Sequence, residues 1–299
     1  MPDALVRGAT VAFVGLGRMG VPLTGRLLAT GYDVRGYDQD AAARRAYSEK
    51  NNRAAAETAT DATSGARALI LMVPDSSAVR AVLGANGLLA SLPVGAVMID
   101  MGSSDPVQTR ELAAEVERHG LTLVDAPVSG GVAGAETGEL TIMVGGDPDA
   151  VERCRPLLQE LGRVVVVGPV GAGHALKALN NLLSATHLLA SAEAIHVGTR
   201  FGLDPDTMLD AINGSTGRSY STEHKLPRFV LTRTFAAGFA MRLMNKDVQT
   251  AVSLARATHT PTPLADRAAA CWDEAAGQLA DDADHTEIVR WLEQLPEGE

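Results

Sequence analysis

The stretch Thr10-Val-Ala-Phe-Val-Gly-Leu-Gly-Arg-Met-Gly20 decides the fold of the first part of the chain. Its first five residues predict a buried strand, and a glycine-spaced turn follows directly and opens a helix. In this context the pattern is the dinucleotide-binding fingerprint. Gly15 allows a tight turn, Gly17 lets backbone approach a pyrophosphate, and Gly20 lets helix and strand pack closely. A glycine-rich turn without a ligand is the alternative, but strand, turn and helix agree on a cofactor site formed by Gly15, Leu16, Gly17, Arg18, Met19 and Gly20.

The next predicted strand, Asp33–Tyr37, ends beside an acidic residue, Asp38. A carboxylate at this place accepts hydrogen bonds from the adenosine ribose hydroxyls and repels a 2′-phosphate. Asp38 therefore predicts NAD as the preferred cofactor. Arg44 and Arg45 on the following predicted helix keep NADP possible, and a surface aspartate that starts a turn is the alternative interpretation of Asp38.

On either side of this stretch, short apolar runs alternate with helical stretches through about the first 170 residues. Because most of these runs lack polar alternation, they predict a parallel sheet that is covered on both faces. The predicted strands are Thr10–Val14, Asp33–Tyr37, Ala68–Val73, Val97–Asp100, Thr122–Asp125, Leu140–Val144 and Val164–Val167.

The sequence pattern changes at about residue 172, where strand signals end. Residues 172–201 predict one long helix, and the pattern stays helical to the end of the chain. The fold class is therefore α/β followed by all-α, with a long helix that joins an N-terminal domain, residues 1–172, to a C-terminal all-helical domain, residues 173–299.

Composition narrows the class of function. The chain has 299 residues, a net charge of −10 and two cysteines without metal or disulfide spacing. The negative charge argues against nucleic acid and anionic membranes as partners. The residues predict no metal site, and the absence of a signal-peptide pattern at the N-terminus predicts a cytoplasmic protein.

A second candidate site follows the strand Thr122–Asp125, in the run Asp125-Ala-Pro-Val-Ser129-Gly130-Gly131. Ligands of a parallel sheet bind beyond the carboxyl ends of the strands. The Ser129 hydroxyl and the backbone N–H groups of Gly130 and Gly131 suit a carboxylate. A purely structural turn is the alternative.

A polar stripe runs along the long helix. His174, Lys177, Asn181 and Ser184 recur at spacings of three and four residues among leucines and alanines. A buried lysine requires a partner, a cavity or water, so the stripe favours a site over a solvated face. Farther on, Lys246 and Asp247 form a pair in an apolar stretch, and a surface ion pair is the alternative there.

These motifs, together with Met72-Val-Pro74, Ile99-Asp-Met-Gly-Ser-Ser104 and Gly171-Ala-Gly-His-Ala-Leu-Lys-Ala-Leu-Asn-Asn181, resemble the β-hydroxyacid dehydrogenase family along nearly the whole chain. The resemblance implies an N-terminal Rossmann domain, a C-terminal helical domain, a site in the cleft between them, and a homodimer or homotetramer. Gly102-Ser-Ser-Asp-Pro106 departs locally from the Ser-Ser-Thr run that members often have.

The resemblance also implies roles for single residues. Lys177 matches the catalytic lysine. The substrate-binding residues would be Ser129, Gly130, Gly131, Asn181 and Lys246, with Arg218 and Tyr220 setting specificity. The cofactor would contact the fingerprint, Asp38, Met72, Val73, Pro74, Ser103 and Lys246.

The predicted function is therefore an NAD(P)-dependent oxidoreductase. Its substrates would be short 3-hydroxy acids of the 3-hydroxyisobutyrate, L-serine, tartronate or threonate class. An imine reductase or a phosphosugar-acid dehydrogenase on the same scaffold is one alternative. Imine reductases generally replace the lysine, and no cationic cluster for a phosphate lies near the Ser129 turn. A catalytically silent nucleotide-binding interaction protein is the other alternative.

Overall fold

A computed structural model describes residues 4–84 and 87–296 of the chain. It divides the chain into two compact units, Met1–Lys177 and Ala178–Glu299. The first unit is α/β and the second is helical, which confirms the predicted fold class. No described helix combines the length and the apolar character that a membrane span requires.

The first unit is built on an eight-stranded sheet with the order β2-β1-β3-β4-β5-β7-β6, in which β8 also pairs with β7. The strands are β1 (Thr10–Val14), β2 (Asp33–Tyr37), β3 (Ala68–Leu71), β4 (Val97–Asp100), β5 (Thr122–Asp125), β6 (Val128–Ser129), β7 (Leu140–Gly145) and β8 (Gly162–Gly168). Every predicted strand exists, although β3 ends at Leu71 rather than at Val73.

The sheet is parallel only in part, which corrects the prediction. Strands β2, β1, β3, β4 and β5 are parallel, whereas β7 runs antiparallel to β5 and β6. The short strand β6, which the sequence analysis missed, continues the chain beyond the carboxyl end of β5 and pairs Ser129 with Thr141. Two residues give no periodicity from which such a strand could be predicted.

Helices cover both faces of this sheet. Alternate residues of β1 point to opposite faces, so Val11 and Phe13 join one apolar cluster while Ala12 and Val14 join another. The helices are α1 (Gly20–Ala29), α2 (Ala41–Asn51), α3 (Ala59–Thr63), α4 (Ser76–Gly84), α5 (Leu88–Ser91), α6 (Pro106–Arg118), α7 (Gly131–Thr137) and α8 (Pro148–Gln159).

Helix α9 spans Ala172–Phe201, the same bounds as the predicted long helix. It starts in the first unit and ends in the second, where Gly202 at φ 102° stops it. The other helices of the second unit are α10 (Pro205–Asn213), a π-helix (Ser221–Val230), α11 (Met241–Ala257), α12 (Pro263–Gln278), a 3-10 helix (His285–Glu287) and α13 (Ile288–Glu293). The fully buried Trp272 lies in its core.

Candidate active site

The glycine-rich turn after β1 has the geometry that the fingerprint predicts. Gly15 has φ 102°, and a side chain there would overlap the carbonyl oxygen of Met72. A side chain at Gly20 would overlap the carbonyl oxygen of Gly15, so α1 packs directly on the turn. A Cβ at Gly17 would meet nothing within 4 Å, which leaves the backbone of that residue open to a ligand.

Asp38 lies against this turn. Its Oδ2 accepts a hydrogen bond from the Leu16 backbone N–H at 2.7 Å, and its Oδ1 accepts one from Asp40 at 2.9 Å. Arg44 donates to the carbonyl oxygens of Asp38 and Gln39 rather than to a carboxylate. The carboxylate therefore faces the glycine-rich turn, and the neighbouring arginine is held by two backbone carbonyl oxygens.

The turns that follow β3 and β4 meet the glycine-rich turn at the same edge of the sheet. Met72 contacts Gly15, and a side chain at Gly102 would overlap the carbonyl oxygen of Val73. The Asp100 carboxylate shapes the second of these turns, since it accepts from the Gly102 N–H at 2.9 Å and the Ser104 hydroxyl at 2.7 Å. Three predicted cofactor segments, Gly15–Gly20, Met72–Pro74 and the turn with Ser103, are thus brought together.

The predicted carboxylate turn lies beyond the carboxyl end of β5. Ser129 ends β6, and Gly130 and Gly131 have φ values of 133° and 64°. Both glycines are exposed and open α7, so their N–H groups belong to the unsatisfied first turn of a helix. This local geometry suits an anion.

The start of α9 is fixed by Asp125, at the carboxyl end of β5. Its carboxylate accepts hydrogen bonds from the backbone N–H groups of Gly171 at 2.7 Å and His174 at 2.8 Å, and so caps the helix from a distant part of the chain. Burial raises the pKa of the Asp125 carboxyl, while His174 and the backbone donors oppose that effect. One residue therefore links the strand before the Ser129 turn to the helix that carries Lys177.

His174 is a structural residue in this arrangement. It is 1% exposed, and its Nδ1 lies 2.8 Å from the Thr109 hydroxyl of α6. Lys177, one turn farther along α9, is half-buried, in contrast with the buried His174. The predicted stripe therefore divides: its first member packs into the α/β unit, and Asn181 and Ser184 make contacts in the helical unit.

Asn181 belongs to a buried polar group with the two residues of the predicted ion pair. Its Nδ2 donates to Asp247 Oδ2 at 2.6 Å, and Lys246 Nζ lies 2.8 Å from Asp247 Oδ1. Asp247 is 1% exposed, which excludes the surface-pair interpretation. One carboxylate therefore fixes both the asparagine and the lysine that the sequence analysis assigned to the substrate.

Tyr220 is less connected. It immediately precedes the π-helix, is 66% exposed, and its ring lies against His224 with 4.5 Å between the ring centroids. In the described part of the chain, its hydroxyl forms no hydrogen bond to Asn181, Lys246 or Asp247.

Lys225 is a buried residue of the helical unit that was not predicted from the sequence. This residue of the π-helix is 7% exposed and donates a hydrogen bond to the Ser184 hydroxyl at 2.8 Å. Burial lowers the pKa of its amine to about 8, while the charge of Asp284 opposes the shift. Only part of its burial could be predicted from the sequence, because Leu226 and Val230 are the apolar residues on the buried face that it shares.

Two known sequence families match the chain. Residues 10–168 match a sequence family described as the NAD binding domain of 6-phosphogluconate dehydrogenase. Residues 171–292 match one described as NAD-binding of NADP-dependent 3-hydroxyisobutyrate dehydrogenase. The chain belongs to the β-hydroxyacid dehydrogenase family.

Relatives in this family cover almost the whole chain. The chain is 35% identical over 293 residues to the 2-(hydroxymethyl)glutarate dehydrogenase of Eubacterium barkeri, covering 95% of each protein. It is 36% identical to the NAD-dependent L-serine dehydrogenase of Pseudomonas aeruginosa, covering 85% of this chain and 88% of the relative. The solved Mycobacterium tuberculosis 3-hydroxyisobutyrate dehydrogenase with L-serine has a TM-score of 0.88 at 33% identity, covering 95% of this chain and 99% of that one.

These comparisons establish the class of the protein. It is an oxidoreductase of the NAD(P)-dependent hydroxyacid dehydrogenase type, with NAD or NADP as its cofactor. An imine reductase from Myxococcus stipitatus has a TM-score of 0.61 at 21% identity, which is a likeness of fold alone. Nothing in the comparisons supports a catalytically silent interaction protein.

Proposed function

We propose that this protein oxidises a short 3-hydroxy acid to its semialdehyde, with NAD preferred and Lys177 as the general acid–base. The observation that carries the proposal is the buried Asn181–Asp247–Lys246 group. Asn181 follows Lys177 by one helical turn, so a basic amine and a fixed amide donor share one face of α9.

Each proposed site residue has its own role in the reaction. Bound NAD supplies the hydride acceptor. Lys177, as a free amine, takes the hydroxyl proton as the hydride leaves the alcohol carbon, and in reverse its ammonium protonates the carbonyl oxygen. Asn181 orients the hydroxyl, and the Ser129–Gly131 turn binds the acid's carboxylate. Fixing these distances is worth several powers of ten in rate.

The cofactor residues follow the turns at the sheet edge. Gly15–Gly20 would bind the pyrophosphate, Asp38 the adenosine ribose, and Met72–Pro74 with Ser103 the nicotinamide half, near Lys246. The hydrogen bond between the Leu16 N–H and Asp38 supports the preference for NAD, since it fixes a negative charge beside the turn. Residues 1–172 and 173–299 are the proposed cofactor and substrate domains, and Arg218 and Tyr220 are proposed specificity residues.

The acids named for the relatives share a chemical unit that indicates the class of substrate. L-Serine and 3-hydroxyisobutyrate carry one carboxylate, whereas the 2-(hydroxymethyl)glutarate in the name of the Eubacterium barkeri relative carries two. All three acids have a primary alcohol one carbon removed from the α-carbon. This shared unit is the proposed requirement for the present protein. Tartronate, whose hydroxyl is on the α-carbon, and threonate, whose 3-hydroxyl is a secondary alcohol, are further candidates that test how strictly the unit is required.

We also propose a homodimer or homotetramer in the cytoplasm. One side of α9 exposes apolar side chains that a second copy would cover: Leu176, Leu179, Leu183, Val197 and Phe201. Cys154 and Cys271 are both free thiols, as in a reducing compartment. Light scattering coupled to gel filtration measures the oligomer, and a monomer would refute that part of the proposal.

The test of the activity is a screen of 3-hydroxyisobutyrate, L-serine, tartronate and threonate with NAD and with NADP, followed by the absorbance of the reduced nicotinamide. Oxidation of at least one acid, faster with NAD, is expected. If none of them, nor a homologue with a longer side chain, reduces either cofactor, the proposed substrate class is wrong.

A further inference from the structure

Lys225 is a buried cation that the proposed chemistry does not use. Its side chain leaves the π-helix and reaches the Ser184 hydroxyl of α9, to which it donates a hydrogen bond of 2.8 Å. An ammonium carries three N–H donors. In the part of the chain that the structure describes, the other two donors have no acceptor, and no carboxylate forms an ion pair with the amine.

Asp284 is the carboxylate that acts electrostatically on Lys225, and its oxygens are already occupied. Oδ2 accepts from the backbone N–H groups of Gly238 and Phe239, and Oδ1 accepts from the backbone N–H and the hydroxyl of Thr286. A carboxylate offers about four acceptor sites, so these bonds use all of them. Asp284 therefore attracts Lys225 at a distance without satisfying its donors.

The hydrogen bond to Ser184 brings the Lys225 amine to the polar stripe of α9. Lys177, Asn181 and Ser184 follow one another at spacings of four and three residues, so their side chains lie on one helical face. Ser184 lies about 4.5 Å beyond Asn181 along the helix axis, at 1.5 Å per residue. A buried charge with unused donors thus marks the end of the stripe that begins with the proposed general base.

We propose that Lys225 is a specificity residue that binds a second carboxylate, and that the protein prefers dicarboxylic 3-hydroxy acids. The inference rests on the hydroxyacid dehydrogenase function proposed above and names its substrate class. In a 2-(hydroxymethyl)-substituted diacid of glutarate length, the hydroxyl oxygen and the distal carboxyl carbon are about 6 Å apart when extended, because each bond is about 1.5 Å long. That length suits a hydroxyl at Asn181 and a distal carboxylate at Ser184 and Lys225.

The binding chemistry favours a carboxylate over a phosphate group. Two free ammonium donors and the Ser184 hydroxyl match the two oxygens of one carboxylate. A dianionic phosphate would need further cations, and among the described residues no arginine forms a hydrogen bond with Ser184. With a pKa of about 8, the Lys225 amine is charged at neutral pH, but burial makes this charge energetically unfavourable. An anionic ligand would offset that desolvation cost.

The experiment compares 2-(hydroxymethyl)glutarate with 2-(hydroxymethyl)pentanoate, in which a methyl group replaces the distal carboxylate. The wild type should use the diacid with a kcat/KM at least tenfold higher. Lys225→Met should lose at least ten times more kcat/KM with the diacid than with the monoacid, mainly through KM. Lys50→Met, which removes an exposed lysine paired with Glu136, is the matched control and should change neither value.

Two further measurements cover a Lys225→Met variant that does not fold. Glutarate should inhibit the wild type at least tenfold more strongly than pentanoate, in which a methyl group replaces one carboxylate, and Ser184→Ala should reduce that ratio. Equal inhibition by the two acids, or a diacid preference that survives Lys225→Met, would overturn the assignment of Lys225. Oxidation of the monoacid in those cases leaves the dehydrogenase function intact, whereas a failure to oxidise either compound counts against the proposed function itself.

Discussion

The sheet edge of the first unit and the buried polar groups of the second unit bring their functional residues together in different ways. At the sheet edge, each turn is specified by neighbours in sequence, such as Gly15, Gly17 and Gly20 directly after β1. In the helical unit, the decisive contacts join Asn181 to Asp247 and Ser184 to Lys225, which are 66 and 41 residues apart. Local motifs predict the first kind of site, whereas the second kind depends on how helices pack.

The largest effect is expected at Lys177 of α9. Lys177→Ala should lower kcat by roughly 10²- to 10⁴-fold, the range for loss of one general acid–base. Affinity for NAD should stay nearly unchanged, because the fingerprint is untouched. Steady-state kinetics and NAD titration measure the two values, with Lys50→Ala as the control. A variant with wild-type turnover would remove Lys177 from the mechanism.

The next prediction concerns the helical unit alone. Asp247→Asn should lower kcat about 10- to 100-fold, because an amide offers one acceptor oxygen where the carboxylate offers two. Either the Asn181 donor or the Lys246 ammonium then faces an N–H group, at a cost of about 1–3 kcal/mol. The matched control is Asp273→Asn, an exposed aspartate that accepts a hydrogen bond from Asn245. Equal kinetics for the two variants would mean that the buried pair only supports the fold.

Lys225 should make the stability of the protein depend on pH. The folded chain releases its proton at about pH 8, whereas an exposed lysine of the unfolded chain holds its proton to about pH 10.5. Between these values the unfolded chain binds more protons, so the free energy of unfolding should rise with pH, by about 3 kcal/mol at most. Lys225→Met should lack this rise and be the more stable protein at pH 7.

Urea denaturation at several pH values, from neutral to alkaline, tests this sign. The difference between the wild type and Lys225→Met should shrink as the pH increases above 8, with Lys50→Met following the wild type throughout. A difference that is constant with pH would show that the amine is neutral or well solvated in the folded protein.

The smallest effect is expected at the sheet edge. Asp38→Ala should raise the ratio of NADP to NAD use by roughly tenfold, since a like charge opposite the 2′-phosphate is removed, which is about 1.4 kcal/mol. The exposed Glu49 on α2 supplies the control, Glu49→Ala. An unchanged ratio of the two kcat/KM values would mean that Asp38 serves the Leu16 turn and not cofactor choice.

The sequence predicted the architecture more completely than the contacts. Apolar runs gave every long strand, and the run of residues 172–201 gave the bounds of α9, because these elements follow local periodicity. The antiparallel β7 and the two-residue β6 could not be predicted, since strand direction depends on pairing. Asp125 as the cap of α9 was missed for the same reason, because its partners lie 46 and 49 residues away.

The residues of the candidate site also differ in how far they could be predicted from the sequence. Asp247 shares a helical spacing with the buried Met244 and Ala251, so its burial was predictable from α11. Lys225 was less predictable, because a π-helix does not follow the 3.6-residue repeat. The glycines of the cofactor turn needed no such information, since their backbone geometry depends on adjacent residues.

Rescue of Lys177→Ala by small primary amines, measured in single-turnover hydride transfer, tests whether the Lys177 amine is the general base. If the Lys177 amine accepts the hydroxyl proton, added amines should restore the rate in proportion to their free-base concentration, and more basic amines should restore more. A single-turnover rate that equals the wild type without any added amine would contradict the claim.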